Sequence, residues 1–216
     1  QAGKWKEFVR AYLACISFAD AMVGDIVAAL DQSRYAGNTH LVFWSDNGWH
    51  LGEKEHVHKS TLWQRSTHVP LIWRGPGLKG AGVARRQPVS TLDLYPTLID
   101  VCGLSRNERL DGQSLKPLLD NPRAPRETAV CTHLPNTHSV VDTRWRYNVY
   151  ADGSEELYDR RRDRHEFTNL ASDARYSAVK QRLARHVPPS SAPPAPLNSE
   201  YDFDFATHTY RRRAKP

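Results

Sequence analysis

The chain has 216 residues, 39% of them hydrophobic and 25% charged, a balance that excludes a disordered or fibrous protein and fits one domain with a small appendage. Thirty Lys and Arg against 24 Asp and Glu leave a net charge of +6, which favours anionic partners without identifying one. No uninterrupted apolar run approaches the roughly 18 residues of a membrane-crossing helix, so no membrane span is expected.

From Trp5 to Leu30, apolar residues at Phe8, Tyr12, Cys15, Ile16, Ala19, Met22, Val23, Ile26, Val27 and Leu30 recur in steps of three and four. That spacing predicts a long amphipathic helix with one buried face. Gly37-Asn38 breaks the pattern, and His40-Leu-Val-Phe-Trp44 reads as a fully buried strand ending in Ser45-Asp-Asn-Gly48. A helix followed by such a strand begins an α/β layer. Val69-Pro-Leu-Ile-Trp73 is a second short strand, closed by Arg74-Gly-Pro-Gly77. Ser90 or Thr91 then caps a helix running through Leu94, Leu98 and Val101 to Gly103, with Asp93 in its first turn. Trp44 and Trp73, lying in apolar strands, are expected in the core.

Beyond about residue 125 the runs Thr128–Thr132, Ser139–Asp142, Trp145–Tyr150 and Glu155–Tyr158 predict a small antiparallel sheet, with Asp152-Gly153 as a hairpin turn. Residues 173–186 supply a helical stripe of Tyr176, Val179 and Leu183, with Val187 as an optional extension. Pro188-Pro-Ser-Ser-Ala-Pro-Pro-Ala-Pro196 ends regular structure as a linker or extended arm. The expected division is 1–124, 125–187 and 188–216: an α/β part, a small antiparallel sheet with its helix, and a Pro-rich linker with a basic tail. Arg211-Arg-Arg-Ala-Lys215 is accompanied by no recognition helix, finger or RNA-binding motif, so nucleic acid is not an expected partner. Arg160-Arg-Arg-Asp-Arg164 reads as a solvated loop in preference to a polyanion patch.

Cys15, Cys102 and Cys131 lie far apart, which excludes a metal knuckle and a redox pair and allows at most one disulfide. The chain starts at Gln1 with no apolar signal core behind it. It reads as a processed product or a fragment, and its compartment is not encoded in these residues.

The segment richest in chemistry is Ser45-Asp-Asn-Gly-Trp-His-Leu-Gly-Glu-Lys-Glu-His-Val-His-Lys-Ser-Thr-Leu-Trp63. It follows a strand directly, where open α/β sheets bind ligands. Asp46 and Asn47 offer hard oxygen ligands suited to Ca²⁺ or Mg²⁺, but two oxygens do not complete a six-coordinate shell. The competing reading is a plain turn, with Asp46 bonded to its own backbone. His50, His56 and His58 form no His-Glu-x-x-His motif, and exposed or hydrogen-bonded histidines are favoured over zinc ligands. Lys54 and Lys59 suit either an anionic group or solvent.

In order along the chain, Asp46-Asn47-Gly48, Trp49-His-Leu-Gly-Glu53, Lys59-Ser-Thr-Leu-Trp-Gln64, Val69-Pro-Leu-Ile-Trp73, Ser90-Thr-Leu-Asp-Leu-Tyr-Pro-Thr97, Asp111-Gly-Gln-Ser-Leu115, Tyr150–Asp159 and Glu166-Phe-Thr-Asn-Leu170 resemble the type I sulfatases of the alkaline phosphatase superfamily. Within them the resemblance is to the branch of iduronate-2-sulfatase and choline-sulfatase-like enzymes. It runs from about residue 8 to about residue 187 and covers the carboxyl-terminal portion of such an enzyme. The resemblance implies an alkaline-phosphatase-like mixed sheet flanked by helices, and hydrolysis of a sulfated small molecule or glycan. It also implies that Asp46 and Asn47 are half of a Ca²⁺ site, and that Lys59 contacts a sulfate oxygen and stabilises charge in the transition state. His50 lies near enough in sequence to reach a substrate. Gln64 and His68 stand where relatives often carry Glu and Arg.

The formylglycine nucleophile of the family forms in a Cys/Ser-x-Pro/Ala-x-Arg motif, and none of the three cysteines has that context. The nucleophile and an early Asp pair are therefore expected in a missing amino-terminal half, the first partner of this chain. Relatives are secreted, periplasmic or lysosomal. A phosphoester or phosphonate hydrolase of the same superfamily, and a non-catalytic module that binds sulfated glycans or protein, are the rival readings.

Overall fold

The computed structural model describes residues 2–79, 81–192, 201–204, 206–207 and 209–213. Helix α1, Trp5–Asp31, follows the predicted periodicity over its whole length. It contradicts the expected buried face, because no residue of α1 is buried. Leu13, Ile16, Phe18 and Ile26 are each more than half exposed. Few of the described residues reach it: Tyr12 stacks on Trp49 at 6.0 Å, and Trp5 lies over Gly52. Periodicity reports which face is apolar, and the described residues supply little to cover it.

The absence of an uninterrupted apolar run also proves the wrong criterion for this helix. An 18-residue stretch of α1 has a mean hydropathy of 1.8, so the helix is long and apolar enough to cross a membrane by length and composition. Between Arg10 and Asp31 only Asp20 and Asp25 are charged. Two carboxylates interrupt a run without lowering its mean hydropathy far.

Strands β1 (Leu41–Trp44) and β4 (Leu71–Arg74) pair antiparallel, Leu41 opposite Arg74 and Trp44 opposite Leu71. Arg74 adds an ion pair to Asp31 at the end of α1. The predicted fully buried strand is instead half covered. Trp44 is 46% exposed and Ile72 57%, because this sheet has two strands among the described residues and little packs on its faces. Between them, β2 (His50–Leu51) and β3 (Val57–His58) form a short antiparallel ribbon, and α2 spans Gln64–Thr67.

The helical segment after residue 90 forms as expected. Ser90 closes a capping box with Asp93 over a single 3₁₀ turn, and α3, Leu94–Val101, continues from it. Asp93 reaches further, accepting from the Gln113 N–H at 2.9 Å and from Arg126 at 2.6 Å. The Thr97 hydroxyl accepts from the Leu115 N–H at 2.7 Å, just before α4, Lys116–Asp120. Gly112 is obligatory here, since a Cβ would lie 2.0 Å from the Leu92 carbonyl oxygen. The Ser90–Thr97 and Asp111–Leu115 motifs are thus two halves of one hydrogen-bonded unit.

Strands β5 (Ala129–Leu134), β6 (Thr137–Val141), β7 (Trp145–Val149) and β8 (Glu155–Asp159) make the predicted antiparallel sheet in sequential order. Helix α5, Ser177–Ala184, lays Leu183 and Val179 onto Val140, Trp145, Tyr147 and Leu157, the main apolar core. Asn169 secures the edge of β8, accepting from the Leu157 N–H and donating to the Glu155 carbonyl. Where a linker and tail are expected, β9 (Tyr201–Asp204) pairs with β10 (Thr209–Arg212). The alternation Tyr-Asp-Phe-Asp suits a strand; residues 193–200 lie outside the described residues. All three cysteines are free thiols.

Candidate active site

The site is built on the chain that leaves β1. Asp46 is exposed and Asn47 half buried. Among the described residues no hydrogen bond engages either side chain; Ser45 Oγ donates instead to the Asn47 carbonyl at 2.8 Å. The turn reading therefore accounts for the serine and leaves the carboxylate and the amide free. Gly48 anchors the turn, its N–H donating to the Ser66 carbonyl at 2.8 Å. A Cβ there would lie 2.0 Å from the Arg65 carbonyl oxygen, so only glycine allows the approach.

The β2–β3 ribbon then returns the chain. His50 pairs with His58 and Leu51 with Val57, so residue 59 departs from the end at which residue 49 enters. Antiparallel register thus brings Lys59 back to the end of the ribbon that carries Asp46 and Asn47. Lys59 is exposed, and among the described residues its ammonium has no ion pair, while its carbonyl faces His56 Nε2 at 3.1 Å.

His50 is completely buried. Its Nε2 lies 2.9 Å from Thr61 Oγ1 and its Nδ1 3.3 Å from the Glu53 carbonyl. Burial, reinforced by the charge of His56, pulls its pKa below the usual histidine range. Both ring nitrogens bind the loop, which makes His50 a neutral brace between its two limbs. Glu53 adds a second tie, accepting from the Leu51 N–H at 2.8 Å and pairing with Arg65 at 3.0 Å.

The loop bears an unusual backbone. Lys54, Glu55, His58 and Ser60 have φ of 57°, 58°, 79° and 73°, conformations that cost non-glycine residues on the order of 1–3 kcal/mol each and persist where surroundings over-determine them. Part of those surroundings comes from the four-stranded sheet and the chain that follows it, which the sequence did not connect to this loop. Glu166 and Arg146, 1% and 2% exposed, form a buried pair at 2.6 Å. Glu166 also accepts from the Gln64 N–H, and Arg146 donates to the Leu62 carbonyl. Trp63 Nε1 donates to Glu156 at 2.9 Å. Gln64, where relatives often carry Glu, accepts from Arg160 at 3.0 Å. Arg160 also donates to the Asp142 carbonyl, so this residue of the arginine run is a structural contact and not a solvated side chain.

No group of three or more His, Cys, Asp or Glu side chains able to hold a metal occurs among the described residues. The Asp46 carboxylate and the Asn47 amide are oxygen donors of the type Ca²⁺ takes, and two side chains alone would not complete its shell.

The sulfatase family model matches residues 1–104. A sulfatase of Formosa agariphila is 38% identical over 193 residues, covering 88% of this chain and 38% of that protein. Residues 1–104 belong to the sulfatase family. Human arylsulfatase K is 33% identical over 176 residues, covering 74% of the chain and 33% of its own length. The chain therefore spans well under half of the curated relatives it matches. Among solved structures, BT4656 in complex with its substrate D-glucosamine-2-N,6-O-disulfate superposes with a TM-score of 0.71 at 26% identity, over 84% of this chain and 40% of that one. The phosphonate monoester hydrolase of Agrobacterium radiobacter superposes with a TM-score of 0.66 at 26% identity, over 93% and 44%. The α/β architecture of these neighbours is the fold of this chain.

Proposed function

We propose that this chain forms part of a complete sulfatase that hydrolyses the sulfate ester of a small molecule or glycan. The carrying observation is the return of Lys59, by the ribbon register, to the end where Asp46 and Asn47 stand free. Asp46 and Asn47 would hold Ca²⁺, which supplies positive charge to the sulfate oxygens when bound. Lys59 presents its ammonium to the same anionic group and stabilises the charge that grows on the oxygens in the transition state. His50, buried and bonded at both nitrogens, braces the loop and does not touch substrate. The nucleophile, formylglycine, and the remaining metal ligands belong to the rest of the protein. In that setting α1 packs within the larger α/β layer; Asp20 and Asp25 would be costly at the centre of a bilayer.

Asp46→Ala and Lys59→Ala in the complete protein test the assignment. Asp46→Ala lowers both Ca²⁺ affinity, read by calorimetry, and turnover. Lys59→Ala spares the metal and lowers kcat on the order of 10²–10³-fold. Unchanged metal affinity in the first variant, or near-normal turnover in the second, refutes the site. The similarity to the phosphonate monoester hydrolase supports a second reading, because a tetrahedral anion, a divalent cation and a lysine serve either chemistry. A kcat/KM for phosphonate monoesters above that for sulfate esters would favour it.

A further inference from the structure

Of the six positive-φ non-glycine residues among the described residues, four lie in the loop, Lys54, Glu55, His58 and Ser60, and a fifth, Glu166 at φ 59°, is held by Lys54. Charged groups close that contact. The Lys54 ammonium donates to the Glu166 carbonyl at 2.7 Å and to the Tyr158 hydroxyl at 2.8 Å. It also sits 3.9 Å from the centroid of the Trp63 ring. The Glu166 carboxylate holds the Gln64 N–H at 2.7 Å, and its partner Arg146 holds the Leu62 carbonyl at 2.8 Å. The loop is therefore gripped at Lys54 on one limb and at Leu62 and Gln64 on the other, with Lys59 exposed between.

Burying an ion pair and a lysine is a poor way to gain stability, since desolvation consumes most of the Coulomb attraction and apolar residues would dock two surfaces as well. What directional bonds to charged groups supply is a fixed backbone at each grip. A lysine meeting a growing negative charge needs that: its head must already be placed when the charge develops.

We propose that Lys54 and Glu166 are positioning residues, which act through the backbone of residues 54–64 to hold Lys59 at the substrate end of the β2–β3 ribbon; this rests on the role assigned to Lys59 above. Neither touches substrate in this arrangement.

The test uses the complete protein as wild type, Lys54→Met, Glu166→Gln and the exposed control Arg175→Ala. Hydrogen exchange of residues 53–63 should quicken at least about tenfold in Lys54→Met and Glu166→Gln, while β7 keeps its protection. Their kcat for a sulfate ester should fall on the order of 10²-fold, the loss a displacement of about 1 Å produces. A merely structural role predicts that Lys59→Ala and Glu166→Gln multiply; positioning through Lys59 predicts that the double variant is no slower than Lys59→Ala. Should Glu166→Gln lose protection in β7 as well, Lys54→Met, which leaves the Arg146–Glu166 pair intact, decides. Unchanged exchange in the loop, or multiplicative losses, overturns the positioning. A wild-type protein that cleaves no sulfate ester overturns the sulfatase reading and the role of Lys59 with it, an outcome distinct from active wild type with multiplicative variants.

Discussion

Asp93 joins three separate stretches of chain, and its removal should be among the costliest single changes in this fold. Its carboxylate is 2% exposed and accepts from the Ser90 N–H at 2.7 Å, the Gln113 N–H at 2.9 Å and Arg126 at 2.6 Å. The guanidinium it pairs with is itself only 13% exposed. Asp93→Ala leaves that charge without a counter-ion, which for a buried pair costs about 3–5 kcal/mol. It also strands two amide donors, each worth roughly 1–3 kcal/mol when unpaired, with partial relief from relaxation and water. The expected loss is about 4 kcal/mol. Asp93→Asn keeps one acceptor oxygen and turns an NH₂ group towards a donor, so about 2 kcal/mol is expected. Denaturant unfolding of the complete protein measures both. Adding Arg126→Met to Asp93→Ala should recover part of the loss, because it removes the orphaned charge. A loss below about 1 kcal/mol for Asp93→Ala, or additivity with Arg126→Met within about 0.5 kcal/mol, refutes the reasoning.

Burial lowers the pKa of His50, His68 and His138, helped at His68 by Arg160 and Arg146. Their contribution to stability is therefore complete above the ordinary value of about 6.5 and is lost as the pH falls through the lower folded values. The Tm should decline over that interval, and His50→Gln should flatten the decline; a Tm independent of pH there contradicts the assignment of neutral buried histidines. The carboxyl of Asp159, held below its usual range by its hydrogen bonds from Arg144, should contribute only to losses beginning below about pH 4. Isolated, the 216-residue chain should self-associate and bind hydrophobic dyes through α1, and Phe18→Ser with Ile26→Ser should shift it towards monomer; a dye-free, cooperatively melting monomer counts against this. Gly48→Ala should displace the Asp46-Asn47 turn from the Arg65 carbonyl and lower both Ca²⁺ affinity and turnover, and wild-type values for both would show that the close approach is dispensable.

Local pattern was enough to place α1, the capped helix after Ser90, the four-strand meander and α5, because each is written in short-range periodicity, capping and turn residues. The ordered motifs were likewise enough to reach the sulfatase family, and with it Asp46, Asn47 and Lys59 as candidates. The burial of α1 and β1 was not legible: an apolar stripe states what a segment would cover, and only the tertiary structure shows that little covers it here. His50 looked available to a substrate because sequence distance says nothing of solvent access, and the structure seals it between Thr61 and Glu53. The grip of Glu166, Arg146 and Tyr158 on the Lys59 loop was invisible for a related reason. Those residues lie about 80 to 110 positions from the loop they hold, and pairing at that range is decided by how the sheet docks, which no local spacing records.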